Sequence, residues 1–278
     1  MFIKYCFKLL LIATTLFAFV QKAKAQNYSE YLRKEYVSLA GDTIRYRILY
    51  PEGYDRQKHY PLVLFMHGGG ERGSENQRQL YTGNLGALLL ENENRKKFPC
   101  IALFPQCPTD KYSASANINR QTKPYTIVCN YSNPMPVVLQ SMLALTKSVI
   151  AAEAVDTNRV YIIGTSMGGM ATYEAVYHNP NLFAAAVAVS GAGDTGLYNK
   201  CTTAETSFII YHGEEDPVIG VSEAYRMDKC LATLKADVYM ATFPGVDHVS
   251  WIKAFALPDF LPQLFSKSKK NKTPCNGK

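Results

Sequence analysis

Apolar and polar residues alternate over residues 36–50 around Ala40-Gly41-Asp42, the spacing of an antiparallel hairpin that buries one face. Further along, the alternation gives way to unbroken apolar runs at residues 62–66, 101–104, 160–163, 184–189 and 208–211. A strand that is apolar on both faces belongs inside a parallel sheet covered by helices. Helices are predicted between the runs, over residues 85–93, 137–154, 169–178 and 222–234, and a further alternating strand over 238–243. Strand and helix take turns, so the predicted fold class is α/β: a doubly wound, mostly parallel sheet with helices on both faces and an antiparallel N-terminal hairpin. Residues 110–136, rich in Ser, Asn, Tyr and Pro, interrupt that order directly after a strand. They read as an inserted loop at the strand end where ligands bind, rather than as a second domain.

The first 25 residues stand apart. Lys4 and Lys8 precede an apolar run at 9–20 and then Ala23-Lys24-Ala25, the basic, apolar, small-residue order of a cleavable export signal, with cleavage expected near Ala25. The run falls short of the roughly 20 apolar residues that span a bilayer, so no stable membrane insertion is expected. The mature chain is placed in the periplasm or outside the cell, as one domain over residues 27–265 followed by a flexible basic tail at 266–278. The formal charge of +7 belongs to the ends: leader and tail hold nine of the 30 Lys and Arg, leaving 21 against 23 Asp and Glu between them. The body is therefore not basic, and a nucleic-acid partner has no electrostatic support. Of seven cysteines, Cys6 departs with the leader, while Cys100, Cys107, Cys129, Cys201, Cys230 and Cys275 would meet an oxidising compartment. None shows C-x-x-C spacing; one or two structural disulfides are expected, with Cys107–Cys129 and Cys201–Cys230 preferred because each pair brackets one segment.

Chemistry concentrates at the strand ends. The run at 160–163 leads into Gly164-Thr165-Ser166-Met167-Gly168, with a helix predicted soon after. A serine at a strand-to-helix corner is lifted out of the sheet, and flanking glycines let neighbouring backbone pass close by. The helix start supplies N–H groups and positive dipole for a developing negative charge. Such a hydroxyl needs a base, and the base a partner that fixes its tautomer. His178 falls on the following helix, and His212, next to a strand and Gly213, reads as a packed loop residue. His248, just past the strand at 238–243, is the expected base. The loop Gly213-Glu214-Glu215-Asp216-Pro217 offers three carboxylates; Asp216 is preferred, with Glu215 as the alternative, while Asp247 and Asp194 are badly placed. Two backbone donors should face the oxyanion: the N–H of Met167 and one from His67-Gly68-Gly69-Gly70, with Gly69 ahead of Gly68. That glycine run lacks the ending of a phosphate-binding loop. No paired ligand spacing points to a metal, and no cofactor is expected.

Together with Pro105-Gln106-Cys107-Pro108, residues 212–218 and residues 245–251, these motifs resemble the α/β-hydrolase superfamily, and more narrowly its secreted esterase branch, near feruloyl and acetyl-xylan esterases and dienelactone-hydrolase-like or predicted peptidase relatives. The resemblance spans about residues 36–265. It implies a triad of Ser166, Asp216 and His248, and hydrolysis of a small-molecule or polysaccharide-linked carboxylic ester through an acyl-enzyme. Dienelactone hydrolases proper use cysteine where this chain has Ser166. A serine peptidase of the same fold and a catalytically silent binding protein are the alternatives; a lipase is disfavoured because the 110–136 insertion is too polar for an interfacial lid. Tyr112, Tyr125, Tyr131 and Trp251 are aromatic loop residues expected to pack against the body rather than line a pocket. Arg72 and Glu71, beside the glycine loop, would either touch substrate or brace the loop by an ion pair. The oligomeric state is left open.

Overall fold

The unbroken apolar runs form the middle of an eight-stranded sheet. In the computed structural model, which describes residues 27–39 and 41–269, the strands are β1 (Leu32–Val37), β2 (Thr43–Leu49), β3 (Tyr60–Met66), β4 (Ile101–Gln106), β7 (Val155–Thr165), β8 (Ala185–Val189), β9 (Ser207–Gly213) and β10 (Asp237–Phe243). They lie in the order β1-β2-β4-β3-β7-β8-β9-β10. The pairs β1/β2 and β2/β4 are antiparallel, and every pairing from β4 across to β10 is parallel. This is the doubly wound, mostly parallel sheet of an α/β-hydrolase fold with its antiparallel N-terminal hairpin.

Alternate residues of each central strand feed two cores, one on each face of the sheet. Leu62 and Leu64 of β3 pack with Leu139 of helix α3 (Val137–Ala152), Met170 of α4 (Met167–His178) and Met227 of α5 (Ser222–Thr233). Val63 and Phe65 face the other way, toward Leu85 of α1 (Leu85–Leu90), Phe255 of α6 (Trp251–Phe255) and Phe260 of α7 (Phe260–Phe265). Each fully buried aliphatic or aromatic side chain contributes about 1.5–3 kcal/mol, so burial is a large part of what holds both layers of helices to the sheet.

Local departures from the sequence expectation have physical causes. The helix predicted at 85–93 is two helices, α1 and α2 (Asn92–Lys97), separated by an extended Glu91 (φ −59, ψ 129), because α1 buries Leu85 and Leu89 while α2 buries nothing. The helix predicted from 169 starts at Met167, since Gly168 allows the first turn to press on β3. The 110–136 insertion is not a plain loop: β5 (Ala116–Asn119) and β6 (Thr126–Cys129) form a separate antiparallel hairpin, with Ile118 opposite Ile127. Four residues per strand are too short for alternation to stand out in sequence.

Both preferred disulfides are wrong. Cys107, Cys129 and Cys230 are free thiols, as is Cys100. Bracketing a segment does not bring two Cβ atoms within the roughly 3.5–4.5 Å a disulfide needs. Cys107 and Cys129 serve instead as small apolar residues of one core, and the Cys230 thiol contacts the Thr195 carbonyl. The leader and its cleavage site lie outside the described residues. At the other end, the first residues expected in the tail stay on the body: Tyr161 Oη donates to Lys267 O at 2.7 Å, and Lys269 N–H to Asn158 O at 3.0 Å.

Candidate active site

At the end of β7 the chain turns abruptly into α4, and Ser166 occupies the corner with φ 54 and ψ −115. A left-handed φ on a residue with a Cβ costs on the order of 1–3 kcal/mol and persists only where neighbours enforce it. Here the Ser166 N–H donates to Val189 O at 2.9 Å, and Ser166 O accepts from Met170 N–H at 3.0 Å. The flanking glycines leave no alternative: a methyl on Gly164 would strike Gly168 O, and one on Gly168 would strike Met66 O. Thr165 and Met167 are buried on either side, while Ser166 stays half-exposed with its hydroxyl off the sheet.

His248 arrives from the far side, in the turn after β10. Its Nε2 lies 2.8 Å from Ser166 Oγ, and its Nδ1 lies 2.7 Å from Asp216 Oδ2. A carboxylate can only accept, so the proton sits on Nδ1, and Nε2 is left as the acceptor for the serine proton. The Trp251 indole meets the imidazole edge-on, ring centroids 5.4 Å apart, which is a packing role. Beneath it, Ser250 and Ser190 hydroxyls hydrogen-bond at 2.7 Å and tie the start of α6 to the end of β8. The acid and base loops are also joined directly. Glu215 N–H donates to Val246 O at 3.0 Å, and Gly213 lies so close to Val246 and Asp247 that any side chain there would collide with their carbonyls.

Asp216 is sealed from solvent beneath this pair, and each of its oxygens is engaged twice. Oδ1 accepts the N–H groups of Val218 at 2.8 Å and Ile219 at 2.9 Å. Oδ2 accepts from His248 Nδ1 and lies 3.3 Å from Nε2 of buried His212, which also reaches Ile219 O at 2.8 Å. Burial by itself pushes the Asp216 carboxyl up. Hydrogen bonds from His212 and His248, the His248 charge and the Val218 amide outweigh burial and hold the carboxyl far below the usual range. The other carboxylates considered do not converge here: Glu215 is exposed, Glu214 accepts from Thr242 Oγ1, Asp194 from Tyr131 N–H, and Asp247 from Val249 N–H. His212, expected to be a packed loop residue, is buried and hydrogen-bonded but belongs to the end of β9 rather than to the loop. Its contact with the acid was not expected, although the four-residue spacing between His212 and Asp216 is visible in the sequence. The Ser190–Ser250 bond joins residues 60 apart and has no sequence signal.

The glycine loop packs against the serine corner. The position a Cβ on Gly68 would take is 3.6 Å from Ser166 Cβ, so Gly68 is the loop residue pressed against the corner, whereas Gly69 borders open space. Buried His67 accepts the Cys107 N–H at Nε2 (2.9 Å), which leaves Nδ1–H to donate to Gly68 O at 2.6 Å. In a planar trans peptide the C=O and the next N–H point in opposite directions, so His67 turns the Gly69 N–H away from itself. Burial pushes the His67 imidazole down to about 4. Met167 begins α4, where the first N–H groups have no intrahelical carbonyl. Arg72 makes no ion pair with Glu71; it reaches Gly69 O through Nε at 3.0 Å. Burial pushes the Cys100, Cys107 and Cys129 thiols up to about 12, so none supplies a thiolate. Among the described residues no group of three or more His, Cys, Asp or Glu side chains is placed to hold a metal, and no helix is long and apolar enough to cross a membrane.

Comparison with known proteins points to the same fold. Residues 127–261, which carry the serine, acid and histidine, match the family described as phospholipase/carboxylesterase. Among solved structures, a thermostable esterase is 28% identical with a TM-score of 0.76; the match covers 87% of this chain and 64% of that one, so the chain spans just under two thirds of that esterase's length. The feruloyl esterase module from Clostridium thermocellum is 17% identical (TM-score 0.58, covering 84% and 87% of the two chains). A puromycin-hydrolyzing peptidase from Mycobacterium tuberculosis is 16% identical (TM-score 0.60, 88% and 41%). The last two likenesses are of fold. No curated protein sequence matches the chain.

Proposed function

We propose that the chain, which has the α/β-hydrolase fold, is an exported serine hydrolase of carboxylic esters, with Ser166 as nucleophile, His248 as base and Asp216 as the group that orients the base. The observation that carries this reading is the unbroken hydrogen-bond chain from the half-exposed Ser166 Oγ through His248 to the sealed Asp216, at 2.8 and 2.7 Å.

In this reading Oγ attacks the ester carbonyl carbon as its proton passes to His248 Nε2, and the new imidazolium is balanced by Asp216, already ionised. The oxyanion is received by the N–H groups of Met167 and Gly69. Collapse expels the alcohol, which takes the proton from Nε2. Water then attacks the acyl-enzyme with His248 again as base, and the acid leaves. The chemistry needs only these side chains and backbone donors. Likeness to esterases, including one that acts on feruloyl groups, supports an ester, and carbohydrate-linked acyl groups are the substrate class we favour. The basic and apolar order of the leader supports export.

Ser166→Ala is expected to lower turnover of p-nitrophenyl acetate by on the order of a million-fold, the scale of losing a triad nucleophile. Retention of more than about a hundredth of the activity would refute the assignment. Reaction of native protein, but not of the alanine variant, with a fluorophosphonate probe separates this reading from a silent fold. Peptide substrates assayed beside esters separate it from a peptidase.

A further inference from the structure

The 110–136 segment touches three of the elements that carry the candidate triad and the glycine loop, each through a specific bond. At its start, Arg72 Nη1 donates to Thr109 O (3.0 Å) and Lys111 O (3.1 Å) while its Nε holds Gly69 O, and the Tyr112 ring lies against the guanidinium with 5.8 Å to its centroid. Past its hairpin tip, Tyr125 N–H donates to Val218 O at 3.0 Å, and the N–H of the same Val218 holds Asp216 Oδ1. Between these points lies Glu174, on the helix that Ser166 begins. It is fully buried, and its two oxygens accept the N–H and the hydroxyl of Ser115 at 2.7 and 2.6 Å.

A buried carboxylate costs several kcal/mol of lost hydration unless its bonds are well made. Only a carboxylate can accept both Ser115 donors at once; an amide would present an N–H to one of them. A lid that swung open would break both of these bonds at once. We propose that the 110–136 segment is a fixed wall of the substrate pocket rather than a moving lid, and that Glu174 is the positioning residue that holds this wall to the helix bearing Ser166. The inference rests on Ser166 being the nucleophile. Glu174 is on the inner side of its helix and acts through Ser115.

Two variants, Glu174→Gln and Ser115→Ala, test it with two esters: p-nitrophenyl acetate and a bulky aromatic ester such as methyl ferulate. In wild type, the Tyr125 and Tyr131 amides should exchange with deuterium slowly, as closed structure does. In either variant, exchange over 110–131 should rise about tenfold while the α4 amides hold. KM for the bulky ester should rise about tenfold with kcat within about threefold, and acetate kinetics should stay within about threefold, the signature of lost positioning rather than lost chemistry. The double variant should be no worse than the worse single one, because both remove one contact. Should Glu174→Gln fail to fold, Ser115→Ala, which removes a single oxygen, carries the test. Wild-type exchange over 110–131 as fast as in an unprotected chain, or equal losses on both esters, overturns the proposal. Failure of the esterase reading is distinguishable: Ser166→Ala would then leave ester turnover intact, while the exchange result would still stand.

Discussion

Asp216 and Glu174 are both carboxyl groups sealed in the interior, and their surroundings displace them in opposite directions. Burial drives each upward. Asp216 meets four donors, two of them on histidines, and is held far below the usual carboxylate range; Glu174 accepts the two donors of one serine, with His178 Nε2 at 4.0 Å, and burial keeps it raised. The number and charge of the donors, not depth, decide which buried acid remains a firm anion. That suits the two places. The acid beneath His248 has to offset an imidazolium, whereas Glu174 has only to hold a segment in position.

The strongest way to break the contrast is Asp216→Asn. An amide keeps the shape but turns an N–H toward His248, forcing the proton onto Nε2, where it blocks acceptance from Ser166. kcat for p-nitrophenyl acetate is expected to fall on the order of ten-thousand-fold, as for a triad held in the wrong tautomer. A loss below about tenfold would show that Asp216 does not orient the base.

A third sealed group, His67, sharpens the comparison, because it sits at the glycine loop and is held neutral. Its folded-state value near 4 lies below the 6.5 of a free imidazole, so between those values the unfolded chain binds more protons and stability rises with pH. Acidification from 6.5 to 4 should therefore remove up to roughly 3 kcal/mol through this one residue, by the cost of a shift of this size. His67→Gln should flatten that part of the stability curve measured by denaturant titration; an unchanged slope would count against the neutral, doubly bonded ring.

The smallest expected effect compares the two carboxylates directly. For Asp216 the folded value is depressed, so its contribution is present above the ordinary carboxylate range and is lost as the pH falls through and below it. For Glu174 the folded value is raised, the native state binds more protons, and its contribution declines as the pH rises through that range. The stability of wild type relative to Asp216→Asn should thus shrink on acidification, while that relative to Glu174→Gln should grow. Two slopes of the same sign would mean that the surroundings of one of them have been misassigned.

How much could be foreseen differs between regions for one reason: the range of the interactions. Ser166 was legible because strand, glycines and helix all lie within a few residues of it, and His248 and Asp216 because each follows a readable strand. The hairpin at 116–129 was hidden by strands only four residues long. The cysteine pairs were misjudged because spacing along the chain says little about where two Cβ atoms meet. Tyr131, expected to pack, lies buried against Tyr177 and Tyr198, and Trp251 rests on His248.

By itself, then, the amino-acid order determined the alternation of buried strand and helix, the doubly wound sheet, and the corner on which a serine must be exposed, since these follow from periodicity and from glycine's lack of a side chain. Only the tertiary structure decided that His212 would share the carboxylate of Asp216, that Ser190 would brace Ser250, and that Glu174 would reach Ser115. Those contacts join residues set by different strands and loops, and their geometry exists only once the sheet has brought the strand ends together.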